Sequence, residues 1–151
     1  MPITVNITIS NEEVTKRVRN NTHKLAKTSG LKDPRIESSL QADETSQDTK
    51  IVDDAIETAV GNVVNAMSKY VSDTNYGGGL SVITLLMPDT WRSHNGVGLL
   101  EDVYDYVTDY TMSEFLKKAG NAKDASAFRT SADTSLSNAI TKLLDRKSPL
   151  S

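Results

Sequence analysis

The chain contains no cysteine, so neither disulfide bonds nor thiolate chemistry is open to it. It has only two histidines, His23 and His94, and a zinc site would need carboxylates for most of its ligands. We therefore expect no metal cofactor. Aromatic residues make up 5% of the sequence and hydrophobic residues 37%, which is slightly low for a globular chain. Part of the surface is thus expected to become ordered only against a partner.

The sequence also lacks an apolar run of the roughly 18 to 20 residues that a membrane-spanning helix needs. Its first residues show no basic region followed by an apolar one, as a secretory signal would. We expect a protein made and kept in the cytoplasm. At 151 residues it should form a single domain, 1–151, and its net charge of -3 does not draw the whole molecule to nucleic acid.

Isoleucine and valine alternate with threonine and asparagine over residues 3–9, which predicts a β-strand with one apolar face. We expect this strand to form an N-terminal arm over residues 1–10. A second strand is predicted near residues 80–87, where apolar side chains would lie on both faces, implying burial on both sides. Pairing of the two strands, in the same subunit or with a neighbour, would satisfy their edges.

Helical periodicity predicts the rest of the fold, a bundle of about four helices, so the class is mainly α with a small β element. Ser10 and Glu13 form a capping box at the start of the first helix. A polar loop over residues 31–49 leads to the strongest pattern, from Lys50 to Ser72, which we interpret as the central core helix. The last two helices span Gly98–Ala119 and the region after Asn121, and a tail covers residues 147–151.

Charge is distributed unevenly along the chain. Bases dominate up to Arg35, whereas acids dominate from Glu37 to Glu57, with Lys50 as the only base. A basic segment followed by an acidic one suits head-to-tail packing of identical subunits. The simpler alternative is that both segments are solvent-exposed helix faces.

No motif in the sequence carries a convincing reaction chemistry. Gly96-Val97-Gly98 lacks the third glycine of a dinucleotide-binding loop. Asp89, Ser93 and His94 carry the letters of a catalytic triad but lie within six positions of each other, whereas triads assemble from distant segments. We interpret the acidic row of the third helix as its solvated face rather than a divalent-ion site. The row consists of Glu101, Asp102, Asp105 and Asp109.

Two short motifs in the second half of the chain are informative through their positions among the predicted elements rather than through their residues alone. Residues 86–91 read Leu-Met-Pro-Asp-Thr-Trp, and residues 143–149 read Leu-Leu-Asp-Arg-Lys-Ser-Pro. They lie on either side of a helix rich in tyrosine and valine, and follow the N-terminal strand, the polar loop and the core helix. From Ile51 onward this order of parts resembles the small head-tail connector (adaptor) proteins of tailed bacteriophages.

The resemblance implies a structural virion protein that forms a ring beneath the portal, links capsid to tail and lets DNA pass. It implies no catalytic residue and no cofactor. The expected partners are copies of the chain in a cyclic homo-oligomer, the phage portal protein and tail proteins, and DNA in the lumen without sequence-specific binding. The expected location is the head-tail junction of the virion, with the C-terminal tail reaching a neighbouring protein.

The residues we expect at interfaces fall into three groups: the apolar face of the first strand, the tryptophan, and the basic tail. They are Ile3, Val5, Ile7, Ile9, Trp91, Arg146, Lys147 and Pro149. Trp91 has two interpretations, an anchor on a partner surface or a lid over the end of the core.

Two other functions stay open from the sequence. One is a tail-completion or tail-terminator subunit of a phage. The other is a small helical DNA-binding regulator that uses the basic helix from Lys16 to Lys27.

Overall fold

The computed structural model describes residues 2–28 and 47–147. Within these residues it has four helices and one small antiparallel sheet, which confirms the predicted class of a mainly α protein with a small β element. In chain order the elements are β1 (Ile3–Ser10), α1 (Asn11–Thr28), α2 (Gln47–Ala66), β2 (Val71–Gly77), β3 (Leu80–Met87), α3 (Asn95–Lys118) and α4 (Ala122–Leu143).

The three strands are arranged in the order β1-β3-β2, with β3 in the centre. The predicted N-terminal strand pairs with β3 of the same chain along its whole length, from Ile3 opposite Met87 to Ser10 opposite Leu80. Residues Ile3–Ser10 are therefore the edge strand of the chain's own sheet and not a separate arm. Alternation places Ile83, Leu85 and Met87 on the face that packs against the helices, where all three are fully buried.

Strand β2 was missed by the sequence analysis, which extended the core helix to Ser72. The helix ends at Ala66 instead, and the chain turns through residues 67–70 into β2. Positive φ angles at Gly78 and Gly79, 62° and 76°, close the β2–β3 hairpin in the two-residue turn that matches the twist of paired strands. The side chains of β2 are mostly exposed, so the turn and the backbone hydrogen bonds to β3 stabilise this strand.

Helix α3 is the central element, a role that the sequence analysis assigned to the preceding helix. It packs against α1, α2, α4 and β1. Its second half is buried on several sides and includes polar residues, such as Thr111, whose hydroxyl donates to the Val107 carbonyl at 2.7 Å. The side chains of this helix therefore set the positions of the other helices.

Helices α3 and α4 form a hairpin around Gly120, as the sequence predicted. The Asn121 amide donates to the Leu116 carbonyl at 2.9 Å and the Gly120 amide to the Lys117 carbonyl at 3.2 Å, the pair of bonds that ends helices with a left-handed glycine. The Asn121 side chain then caps α4 by accepting from the Asp124 amide. Three alanines seven residues apart, all buried, let α4 approach α3 closely. They are Ala125, Ala132 and Ala139.

Among the described residues, no helix combines the length and the apolar character required to cross a membrane.

Substitutions at two glycines distinguish the effect of backbone conformation on stability from the effect of side-chain packing. A Cβ would meet no atom within 4 Å at either Gly61 or Gly120, but only Gly120 has a positive φ, 84°. We expect Gly120→Ala to lower the free energy of unfolding by about 1 to 2 kcal/mol. Gly61→Ala, inside α2, should raise it by about 0.5 to 1 kcal/mol. Urea unfolding followed by circular dichroism measures both, and equal shifts of one sign would contradict the backbone explanation.

Candidate functional site

The end of the described chain is fastened to the Trp91 segment, in an arrangement that we name the C-terminal clasp (Trp91, Arg92, Asn95, Asp145 and Arg146). Trp91 and Arg146 form an isolated antiparallel bridge, and the Lys147 amide donates to the Thr90 carbonyl at 2.7 Å. The Trp91 indole N–H donates to the Lys142 carbonyl at 2.9 Å. The strand-to-helix junction is thus closed over the C-terminal end of α4.

Side chains complete the clasp from both directions. The Asp145 carboxylate accepts from the Asn95 amide group at 2.9 Å and lies 3.4 Å from Arg92 Nε, which also donates to the Arg146 carbonyl. The Arg146 guanidinium donates to the Tyr70 hydroxyl at 2.8 Å. Three segments that are distant in sequence therefore meet at one point.

Of the predicted interface residues, Trp91 lies in the core with 1% of its surface exposed. Its side chain is the lid over the end of the core and not a free anchor for a partner. Arg146 is half-buried and structural, whereas Lys147 is exposed. Pro149 lies outside the described residues.

The apolar face of β1 is used within the chain. Ile7 and Ile9 are buried at 1% and 0% exposure, and Ile3 and Val5 are half-buried against the same core. Their side chains therefore fill the chain's own interior, and the strand pairs with β3 of the same chain. The predicted role of these four residues in contacts between subunits stays a prediction. The outer backbone edge of β1 pairs with no described strand, and the outer edge of β2 is unpaired in the same way.

The opposite face of the sheet is not covered by any described helix, and we name it the open sheet face. Leu80 and Leu86 of β3 are 45% and 47% exposed on it. Thr4, Asn6 and Thr8 of β1 flank them, and the Thr84 hydroxyl donates to the side-chain amide oxygen Oδ1 of Asn6 at 2.9 Å. The sequence predicted burial on both faces of β3, and the single chain buries one.

A cleft of about 500 Å³ lies between α2 and the tip of the β2–β3 hairpin. Ile56 and Val60 supply its apolar surface, and Asp53 and Glu57 supply its charge. We name this feature the acidic cleft. Partial burial raises the pKa of the Asp53 carboxyl above its ordinary value, and the neighbouring Asp54 carboxylate raises it further.

The acidic row on α3 is partly neutralised inside the molecule, so it is not the free solvated face that the sequence indicated. Asp102 pairs with Lys142 of α4, Asp105 lies 3.7 Å from Arg17 of α1, and Asp109 accepts from the Ser131 hydroxyl. Burial raises the pKa of both Asp105 and Asp109 above the ordinary carboxyl value, against the opposing effects of Arg17 and Ser131 respectively.

Helix α1 is held by its neighbours rather than presented to a partner. Val14 and Val18 are buried. Arg17 pairs with Glu13 and lies 4.7 Å over the Tyr104 ring. Arg17 is therefore engaged within the fold, whereas Lys16 of the same helix is exposed.

The remaining sequence motifs form no reactive centre in the described residues. Asp89, Ser93 and His94 are all exposed, whereas the carboxylate of a catalytic triad is buried. No group of three or more described histidine, aspartate or glutamate side chains is placed to hold a metal ion.

Sequence reasoning missed Tyr70 and Asp145 in the clasp and the two carboxylates of the acidic cleft. Tyr70 falls within the segment from Lys50 to Ser72 that the periodicity predicts as helix, and nothing local shows that the helix ends before it. A signal did exist for the cleft, because Asp53, Glu57 and Gly61 follow at four-residue intervals along one exposed line of α2.

Comparison with protein-family models, curated proteins and solved structures finds no match for this chain.

The clasp predicts a specific role for the single tryptophan. Trp91→Phe should lower the free energy of unfolding by about 2 to 3 kcal/mol, because it removes the hydrogen bond to Lys142 and leaves a space in the core. Circular dichroism during urea unfolding measures this, since the variant has no tryptophan fluorescence. Tyr76→Phe is the matched control at an exposed site and should change little. An equally small effect of the Trp91 substitution would contradict the role of the clasp.

Proposed function

We propose that this protein is a non-catalytic structural subunit of the head-tail junction of a tailed bacteriophage, a connector that forms a ring beneath the portal. The observation that carries the proposal is the open sheet face. A sheet normally covers its apolar residues with a helix layer or a second sheet. Here the central strand leaves two leucines exposed, and another chain would complete the layer.

The position of the chain's end supports the same assignment. The clasp fixes the backbone as far as Lys147 at the end of the sheet where Leu86 is exposed, beside a shallow groove of about 390 Å³. The resemblance assigns the following residues to contact with a neighbouring protein. A rigid exit point beside an uncovered apolar surface suits that contact, since less conformational entropy is lost on docking.

The net charge of the chain fits the passage of DNA through such a ring. A protein with a charge of -3 does not condense on the phosphate backbone. A lumen built from it would let DNA slide without sequence-specific contacts.

Assembly is the first test. The purified chain should form closed rings in negative-stain electron microscopy, with a mass by light scattering that is a multiple of 16.5 kDa, alone or with the portal protein of the same phage. Leu86→Lys, on the open sheet face, should weaken assembly at least tenfold because a charge would be buried. Val97→Lys is the matched control, at an apolar residue 77% exposed on α3. A chain that stays monomeric at every concentration and ignores the portal protein would overturn the proposal.

The tail gives a second, independent test. Deletion of residues 148–151 should leave the melting temperature unchanged, because the clasp ends at Lys147. It should reduce co-sedimentation with the portal protein. Unaltered co-sedimentation would remove the tail from the contact while leaving the open sheet face in place.

A further inference from the structure

Two surfaces of opposite charge lie at opposite ends of the sheet. The acidic cleft borders the β2–β3 turn, where Tyr76, Gly77 and Gly79 line it. At the other end of β3 the shallow groove is lined by Leu86, Met87 and Pro88. Since β3 has eight residues, the two ends are about 24 Å apart.

The acidic cleft has no positive charge of its own. No lysine or arginine is among the described residues that line it. Asp53 and Glu57 are exposed and form no ion pair with any described residue. The cleft combines these carboxylates with an apolar floor, and its volume lies within the range of pockets that bury a bound group.

The groove end carries the complementary charge, and we name it the basic end (Lys69, Arg146 and Lys147). Lys69 and Lys147 are exposed and have no carboxylate partner among the described residues. Arg146 is held in place by Tyr70, so its charge is fixed at the rim of the groove. An apolar surface with a basic rim is therefore the counterpart of the acidic cleft.

We propose that copies of this chain associate head to tail, with the basic end of one copy seated in the acidic cleft of the next; this inference rests on the ring assembly proposed above. A contact between two different patches is heterologous, and its repetition closes into a ring when the rotation between copies allows it. Because the two patches lie at opposite ends of one rigid sheet, a single chain cannot satisfy both by itself. A second copy supplies each with a partner of the opposite charge and an apolar surface.

Two variants, each blocked at one surface, test the arrangement in the full chain. Asp53→Lys with Glu57→Lys reverses the cleft, and Lys69→Glu with Lys147→Glu reverses the basic end. All four side chains are exposed, so the melting temperature should stay close to that of the wild type. Each variant alone should lose self-association by roughly tenfold or more, because like charges would then face each other across the contact.

The decisive step is to mix the two blocked variants in equal amounts. In the mixture one contact pairs the two unchanged surfaces and the other pairs the two reversed surfaces, whose charges are again opposite. The mixture should therefore recover association and give complexes of at least two chains, that is at least twice the 16.5 kDa of one, by light scattering. Lys117→Glu with Lys123→Glu changes the net charge equally on other exposed lysines and is the control, which should assemble like the wild type.

The possible failures are distinguishable. Blocked variants that assemble like the wild type, or that fail to pair when mixed, would overturn the head-to-tail contact while the wild-type ring still supports a connector. A wild-type chain that never self-associates, even with the portal protein, would overturn the proposed function and this contact together.

Discussion

The architecture depends on a helix that has to be covered on most of its circumference. Helix α3 buries polar as well as apolar side chains in its second half, and α1, α2, α4 and β1 all pack against it. A helix of this kind cannot be stable at the surface, because its apolar residues do not lie on a single stripe. The other helices and the sheet are therefore arranged as layers around α3. The exposed apolar surfaces of the protein are the parts of these layers that face away from α3.

The open sheet face is the main such surface. The described helices pack on one side of the sheet, and no described element covers the other side. The clasp adds a second constraint, since it ties the end of α4 to the start of α3 and to Tyr70. Together they produce a small, stiff unit with uncovered apolar residues on β3 and charge of opposite sign at its two ends. We regard these as the properties of a building block.

Local signals in the sequence were sufficient for the elements whose ends are marked by short-range chemistry. The Ser10 hydroxyl accepts from the Glu13 amide as the capping box predicts, and Gly120 with Asn121 separates α3 from α4 as expected. Strand β2 could not be predicted in this way, because its sequence has no alternation of apolar and polar residues. Its residues are mostly polar and exposed, and backbone bonds to β3 decide their conformation. The layer that covers β1 could not be predicted for a related reason. Alternation places Ile7 and Ile9 on one face of the strand but does not say which elements that face packs against.

By itself, the sequence determined the helical class, most of the element boundaries, the alternating faces of β1 and β3, and the uneven distribution of charge. These follow from periodicity, capping and composition, which act within a few residues. The tertiary structure alone decided that β1 pairs within its own chain, that Trp91 closes the core, that Asp102 meets Lys142, and that acidic and basic surfaces lie at opposite ends of the sheet. Each of these depends on packing between segments far apart in the chain, and the free energy of such contacts has no signature in local sequence.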